Sequence, residues 1–285
     1  MLLALVTTGC GNSRPAPMPR PGGASDARLV VLSPAMGVIL TDLGARSVIV
    51  GRHDVDQVLT DLPACGHQGG IDYETLLAVR PTHVLIEWGA RPLPERLVTL
   101  AAANGWTIER HDLRTLGDIT STSDQLQREF GAAGDEPLSA ALERSWARSD
   151  KPLGRAGTVL LLGATAPPGA IGPESCHYEI LTRLGARPAI REGAPWIELD
   201  SEDLIALAPD AIVLIEPQPG GTGIAAVGPE ALDRLGVIAS LDIPAVRDGR
   251  VAVLDGVSYL TPSTAMAQFA ADLRTVLEDW ADEAP

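Results

Sequence analysis

The sequence predicts an α/β protein built as two Rossmann-like lobes, each with a central, mostly parallel sheet. Two observations predict it. The first is a repeat: LGAR at residues 43–46 returns at 184–187, and ETLLAVRP at 74–81 is answered by EDLIALAP at 202–209. The second is that both prolines lead into apolar runs, HVLIE at 83–87 and AIVLIE at 211–216. These runs are continuous rather than alternating, as in strands covered on both faces. One matched pair is too few for a solenoid, whose stacking needs several units. A duplicated lobe leaves a cleft between its copies, and clefts between domains are favoured sites for small ligands.

Taken in order, residues 28–32 (RLVVL) read as the first strand, and Ser33-Pro34-Ala35 as a loop into a helix ending near Gly44. Residues 48–50 supply a second strand. The stretch 52–70, rich in Asp, His, Gly and Pro, is expected as an irregular loop at the carboxyl ends of the strands, where open α/β sheets bind ligands. A helix at 73–79 precedes the strand 83–87, whose end at Glu87-Trp88-Gly89 forms another loop on the same rim. A helix at 92–104 and a strand at 107–110 complete an N-terminal lobe over residues 28–114. Residues 115–152 read as a helical connection with helices at 119–130 and 137–147, because Leu138, Ala141, Leu142 and Trp146 recur near the helical period. The C-terminal lobe, 153–285, holds a strand at 158–162, a loop at 163–172, a helix at 175–184, and Trp196 ahead of the second acidic helix. It continues with the strand ending at Glu216, a glycine-rich turn at 219–223, a strand at 251–254 and a terminal helix at 264–280.

At 285 residues the chain is long enough for two domains with cores of their own, and 45% hydrophobic content with 21% charge fits a globular protein. A formal net charge of -15 disfavours nucleic acid or anionic lipid as a partner of the body and suits a cationic docking surface. Residues 1–10 (MLLALVTTGC) look like the tail of a lipoprotein signal with Cys10 as the lipid anchor, followed by a Pro/Gly/Ser-rich tether to residue 27. Beyond them no apolar run approaches the roughly 20 residues of a membrane-spanning helix. The other thiols, Cys65 and Cys176, fall one in each lobe, and export would permit a disulfide whose formation the sequence leaves open. No G-x-S-x-G, H-E-x-x-H or P-loop pattern is present. Glu87 and Glu216 end corresponding strands and could be imagined as an acid and base, but the duplication explains their symmetry without chemistry.

This order of elements, with Glu-x-x-x-x-φ-x-Pro in both halves, resembles the cobalamin and iron-siderophore substrate-binding proteins of ABC importers (class III). The segments RLVVLSP at 28–34, GIDYETLLAVRP at 70–81 and Pro195-Trp196 through residue 213 carry the resemblance. It implies two lobes joined by a single long helix, which residues 137–149 would supply. It implies an extracytoplasmic monomer, touching the membrane only through its lipid anchor, with no cofactor of its own and no catalytic residue. Its ligand would be a corrinoid or ferric siderophore, and Glu74 and Glu202 would dock onto arginines of a permease dimer that carries ATPase subunits. Ligand contacts are expected from the rim loops: Ser33, Pro34, Ala35, His53, His67, Gln68 and Trp88 in the first lobe, and His177, Tyr178, Trp196 and Tyr259 in the second. Indole and phenol rings can cover a broad, partly apolar chelate while their polar tips hydrogen bond. Gln68 stands where cobalamin binders place a second Trp. Three alternatives stay open: haem as the ligand, direct metal binding by Cys65, His67, Cys176 and His177, and an enzyme on the same scaffold.

Overall fold

The computed structural model describes residues 26–67, 70–131 and 136–283. Cys10 and Gln68 lie outside them. The first sheet contains β1 (Leu29–Leu32), β2 (Ile49–His53), β3 (Ala64–His67), β4 (Gly70–Ile71), β5 (His83–Glu87) and β6 (Thr107–His111), in the order β4-β3-β2-β1-β5-β6. All neighbours pair in parallel except β3 with β4. The second sheet has β7 (Thr158–Thr165), β8 (Pro168–Ile171), β9 (Arg187–Pro188), β10 (Trp196–Glu198), β11 (Ala211–Ile215), β12 (Ile224–Val227) and β13 (Val251–Leu254). Its order is β10-β8-β7-β11-β13-β12, with β9 beside β7, a parallel centre and antiparallel flanks. The helices are α1 (Pro34–Asp42), α2 (Tyr73–Ala78), α3 (Glu95–Asn104), α4 (Leu116–Phe130), α5 (Leu138–Ser145), α6 (Cys176–Leu184), α7 (Ser201–Leu207), α8 (Pro229–Leu232), α9 (Pro244–Arg247) and α10 (Met266–Glu283).

Each copy of the sequence repeat has a structural cause. In both LGAR segments the glycine ends a helix in the left-handed region, Gly44 at φ 73° after α1 and Gly185 at φ 96° after α6, where a side chain would be strained. In both Glu-to-Pro segments a helix is followed by a left-handed residue, Arg80 at φ 45° and Ala208 at φ 41°, and then a buried proline. The central strands are buried on both faces: all four residues of β1 and all five of β11 are core.

The two stretches expected as loops contain strands. Residues 52–70 include β3 and β4, and 163–172 include β8; β10 and β12 also carried no sequence signal. All are four residues or shorter, and all but β10 are rich in glycine, proline or alanine, so pairing with neighbours more than propensity makes them strands. The connection differs too. The longer helix is α4, with 15 residues and a Thr115/Asp118 capping box, while α5 has 8 and ends at Ser145. The start of α5 packs back on α4, the Leu138 and Ser139 amides donating to the side chains of Gln127 and Asp124. Both pack into a core cluster that joins the lobes: Leu29, Met36 and Ile39 from the first, Phe130 and Trp146 from the connection, Ile180, Phe269 and Leu277 from the second.

Candidate functional site

Strand order in the first sheet reverses at β1, which lies between β2 and β5, so a crevice opens beyond the carboxyl ends of these strands. A cavity of 240 Å³ occupies it, lined by Leu32, His53, Gly66, His67, Glu87, Trp88 and Arg91 among others. His53 sits with Nδ1 3.0 Å from an Asp54 carboxylate oxygen. The Trp88 indole donates to the Pro92 carbonyl at 3.0 Å, and the Arg91 guanidinium lies 4.5 Å above its ring. Burial pushes the Glu87 carboxyl upward in pKa, opposed by the Ser33 hydroxyl that donates to it at 2.9 Å. Ser33 is itself buried as the N-cap of α1, its oxygen accepting from the Met36 amide; Pro34 takes the first helical position and Ala35 is buried. These three residues shape the rim from beneath and do not line the cavity. Arg91 and Glu87 were not among the expected contacts; a cation three residues past a rim tryptophan was the available signal for Arg91.

On the second lobe Trp196 is 47% exposed, and its indole lies across the β7–β8 hairpin. Two glycines make the floor. A methyl group at Gly169 would stand 2.1 Å from an indole carbon, and one at Gly163 would stand 2.7 Å from another. Leu260, 38% exposed, adjoins the same floor. Because β10 runs antiparallel to β8, and β8 antiparallel to β7, this platform sits toward the carboxyl ends of the parallel strands.

His177 and Tyr259 are both buried, and neither lines the first-lobe cavity. His177 is 4% exposed, with Nε2 2.5 Å from the Tyr259 carbonyl oxygen and its ring 5.1 Å from Phe269. Burial lowers its pKa, so the ring is neutral at pH 7 and donates from Nε2. Tyr259 is 3% exposed; its hydroxyl donates to Asp272, and burial with that carboxylate raises its pKa. Both are held by α10, far along the chain. Tyr178 is half-buried in the first turn of α6.

The four proposed metal donors are not brought together. Cys65 is buried in the first lobe's outer cluster with Val30 and Leu76, whereas Cys176 belongs to the cluster that joins the lobes. Both thiols are free, and burial pushes them up to about 11 and about 12. Among the described residues no group of three His, Cys, Asp or Glu is placed to hold a metal ion.

Between the lobes lies a second cavity of 300 Å³, lined by Val38, Thr41, Asp42 and Val58 from the first lobe and by Gly221, Ser258, Tyr259 and Gln268 from the second. The Thr264 hydroxyl crosses the seam to donate to Asp42. Glu74 and Glu202 occupy the same position in α2 and α7, the second helical residue after an aspartate N-cap, and both are exposed. Helix α7 leaves its sheet from the carboxyl end of β10, and the amide of Asp72, the cap of α2, donates to the carbonyl of Cys65, the second residue of β3.

No family model and no curated protein sequence matches the chain. Solved structures do. The periplasmic heme-binding protein HutB of Vibrio cholerae is 19% identical, with 89% of this chain and 99% of that one covered at a TM-score of 0.67. The periplasmic vitamin B12-binding protein BtuF of Vibrio cholerae is 16% identical, covering 90% and 98% at 0.66. The periplasmic heme-binding protein RhuT from Roseiflexus sp. RS-1, in apo form, is 21% identical, covering 91% and 100% at 0.64. At these identities the likeness is one of fold, the two-lobe α/β fold that all three share with this chain.

Proposed function

We propose that this chain is an extracytoplasmic substrate-binding protein of an ABC importer, which captures a metal chelate such as a corrinoid or ferric siderophore between its lobes and delivers it to a permease. The observation that carries the reading is the Trp196 platform. A half-exposed indole held on two glycines is an apolar surface left in contact with water, and like the imidazole-lined cavity of the first lobe it lies toward the carboxyl ends of its own sheet's parallel strands. A broad, flat ligand would recover that exposed area. Glu74 and Glu202 would make directional carboxylate–guanidinium contacts with the permease, one per lobe. The work is binding and docking, with no bond made or broken, and Cys10 would tether the protein to the membrane.

Haem is the second reading, favoured by two imidazoles and a guanidinium in one cavity: His53 or His67 could ligate iron while Arg91 meets a propionate. Titration of residues 25–285 with cyanocobalamin, haemin and ferric siderophores separates the readings. Sub-micromolar binding of one names the cargo, and a Soret shift lost in a His67→Ala or His53→Ala variant selects haem. Binding of none would remove the chelate reading.

A further inference from the structure

The repeat extends past the glutamates, and the part beyond them faces solvent. In α2 the order is the Asp72 cap, Glu74, buried Leu76, exposed Leu77, exposed Ala78, left-handed Arg80 and buried Pro81. In α7 it is the Asp200 cap, Glu202, buried Leu204, exposed Ile205, exposed Ala206, left-handed Ala208 and buried Pro209. Each helix spends one leucine on its core, Leu76 and Leu204 both at 0% exposure. Each then presents a second large apolar residue to water, Leu77 at 38% and Ile205 at 51%. Three residues after a glutamate on a helix is the same face, one turn along. The backbone amides do not take part, because Asp72 accepts from the Glu74 and Thr75 amides and Asp200 from that of Asp203.

We infer that Glu74 with Leu77, and Glu202 with Ile205, form two copies of one docking unit, a carboxylate beside an apolar knob. They fit a dimeric partner that presents, at two equivalent places, a basic side chain beside an apolar hollow. Neither helix needs the exposed residue for its own packing, yet the fold places one at the same position in both lobes. Neither glutamate side chain makes a hydrogen bond or ion pair among the described residues. A chain of net charge -15 offers the complementary sign to a basic surface. A matched pair of patches suits a partner that repeats one surface by symmetry. The carboxylates would set attraction and orientation, and the apolar knobs the desolvated centre of each contact. This inference rests on the importer reading above and specifies what its permease must offer.

The test uses Leu77→Ser and Ile205→Ser, singly and together, in the full chain, against the permease–ATPase complex in liposomes. Affinity for the complex and stimulation of ATP hydrolysis are read, with chelate titration and thermal melting as controls. Each single substitution is expected to weaken docking roughly tenfold, by similar factors in the two lobes, with chelate affinity unchanged. Leu77→Met and Ile205→Leu should keep docking near wild type. If Glu74→Ala and Glu202→Ala weaken docking while the serine variants do not, the apolar half of the unit is refuted and the importer reading survives. If the unaltered protein fails to dock at all, both fall.

Discussion

Trp196 shows how one residue's placement becomes a binding surface. An indole left half in water is an unrecovered hydrophobic gain, and a ligand that covers it collects that gain without reorganising the chain. Truncation of such an aromatic anchor typically costs about 2 kcal/mol or more, which is roughly a thirtyfold change in affinity. Trp196→Ala should therefore weaken chelate binding about thirtyfold by titration while the protein still unfolds in a single cooperative transition, since the half-exposed indole lies outside the core clusters. His177 is the opposite case, an imidazole whose role is internal. Its folded pKa is lowered by burial, so its contribution to stability is complete above the unfolded value and is lost as pH falls below about 6.5. The unfolded chain then takes up a proton that the folded chain resists. Denaturant unfolding followed from pH 7.5 to 5.5 should show stability falling toward acid, and His177→Gln should flatten part of that slope. An unchanged slope in the variant would assign the acid sensitivity elsewhere.

Among the elements, what the sequence made legible was decided by burial. Runs such as HVLIE and VAVL stand out because both faces are covered, and the structure places strands at His83–Glu87 and Val251–Leu254. Segments such as Pro168–Ile171 and Trp196–Glu198 pair with β7 and β8, and a partner outside a three- or four-residue segment leaves no periodic signal within it. The site divides the same way. Trp196 could be singled out by its place before the acidic helix, whereas the burial of His177 and Tyr259 depends on Phe269 and Asp272 in α10, which no local pattern reveals. The glycine floor was equally hidden, because Gly163 and Gly169 matter only for the indole laid over them. Gly169→Ala should displace that indole, weakening chelate binding about as much as Trp196→Ala and shifting tryptophan emission. Gly117→Ala, in the first turn of α4 with its nearest neighbour at 3.7 Å, should leave binding intact and stabilise by about 0.5–1 kcal/mol. Equal ligand affinities for the two variants would deny the floor its role.

At the scale of the whole molecule the lobes are not independent bodies joined by a tether. Leu29 and Ile39 of the first lobe, Trp146 of the connection and Phe269 and Leu277 of the second lie in one apolar cluster, and the Asp42–Thr264 hydrogen bond crosses the seam. A hinge opening of tens of degrees would bring part of that cluster into water. Exposing even about 300 Å² of it would cost roughly 7 kcal/mol. A ligand shifts an equilibrium only by its differential affinity for the two states, and a micromolar ligand supplies about 8 kcal/mol in total. Large closure would therefore consume nearly all the binding energy, and tight capture requires the free protein to be close to its bound shape. Distances between spin labels on α3 and α8, one per lobe, should accordingly change by only a few ångströms on saturation with the chelate. Asp42→Ala, which removes the polar crossing but leaves the apolar cluster, should broaden the distance distribution of the free protein without moving its mean far. A shift on the scale of a hinged closure in the unaltered protein would show that the shared core opens, and that the cost of opening is met by contacts made only in the bound state.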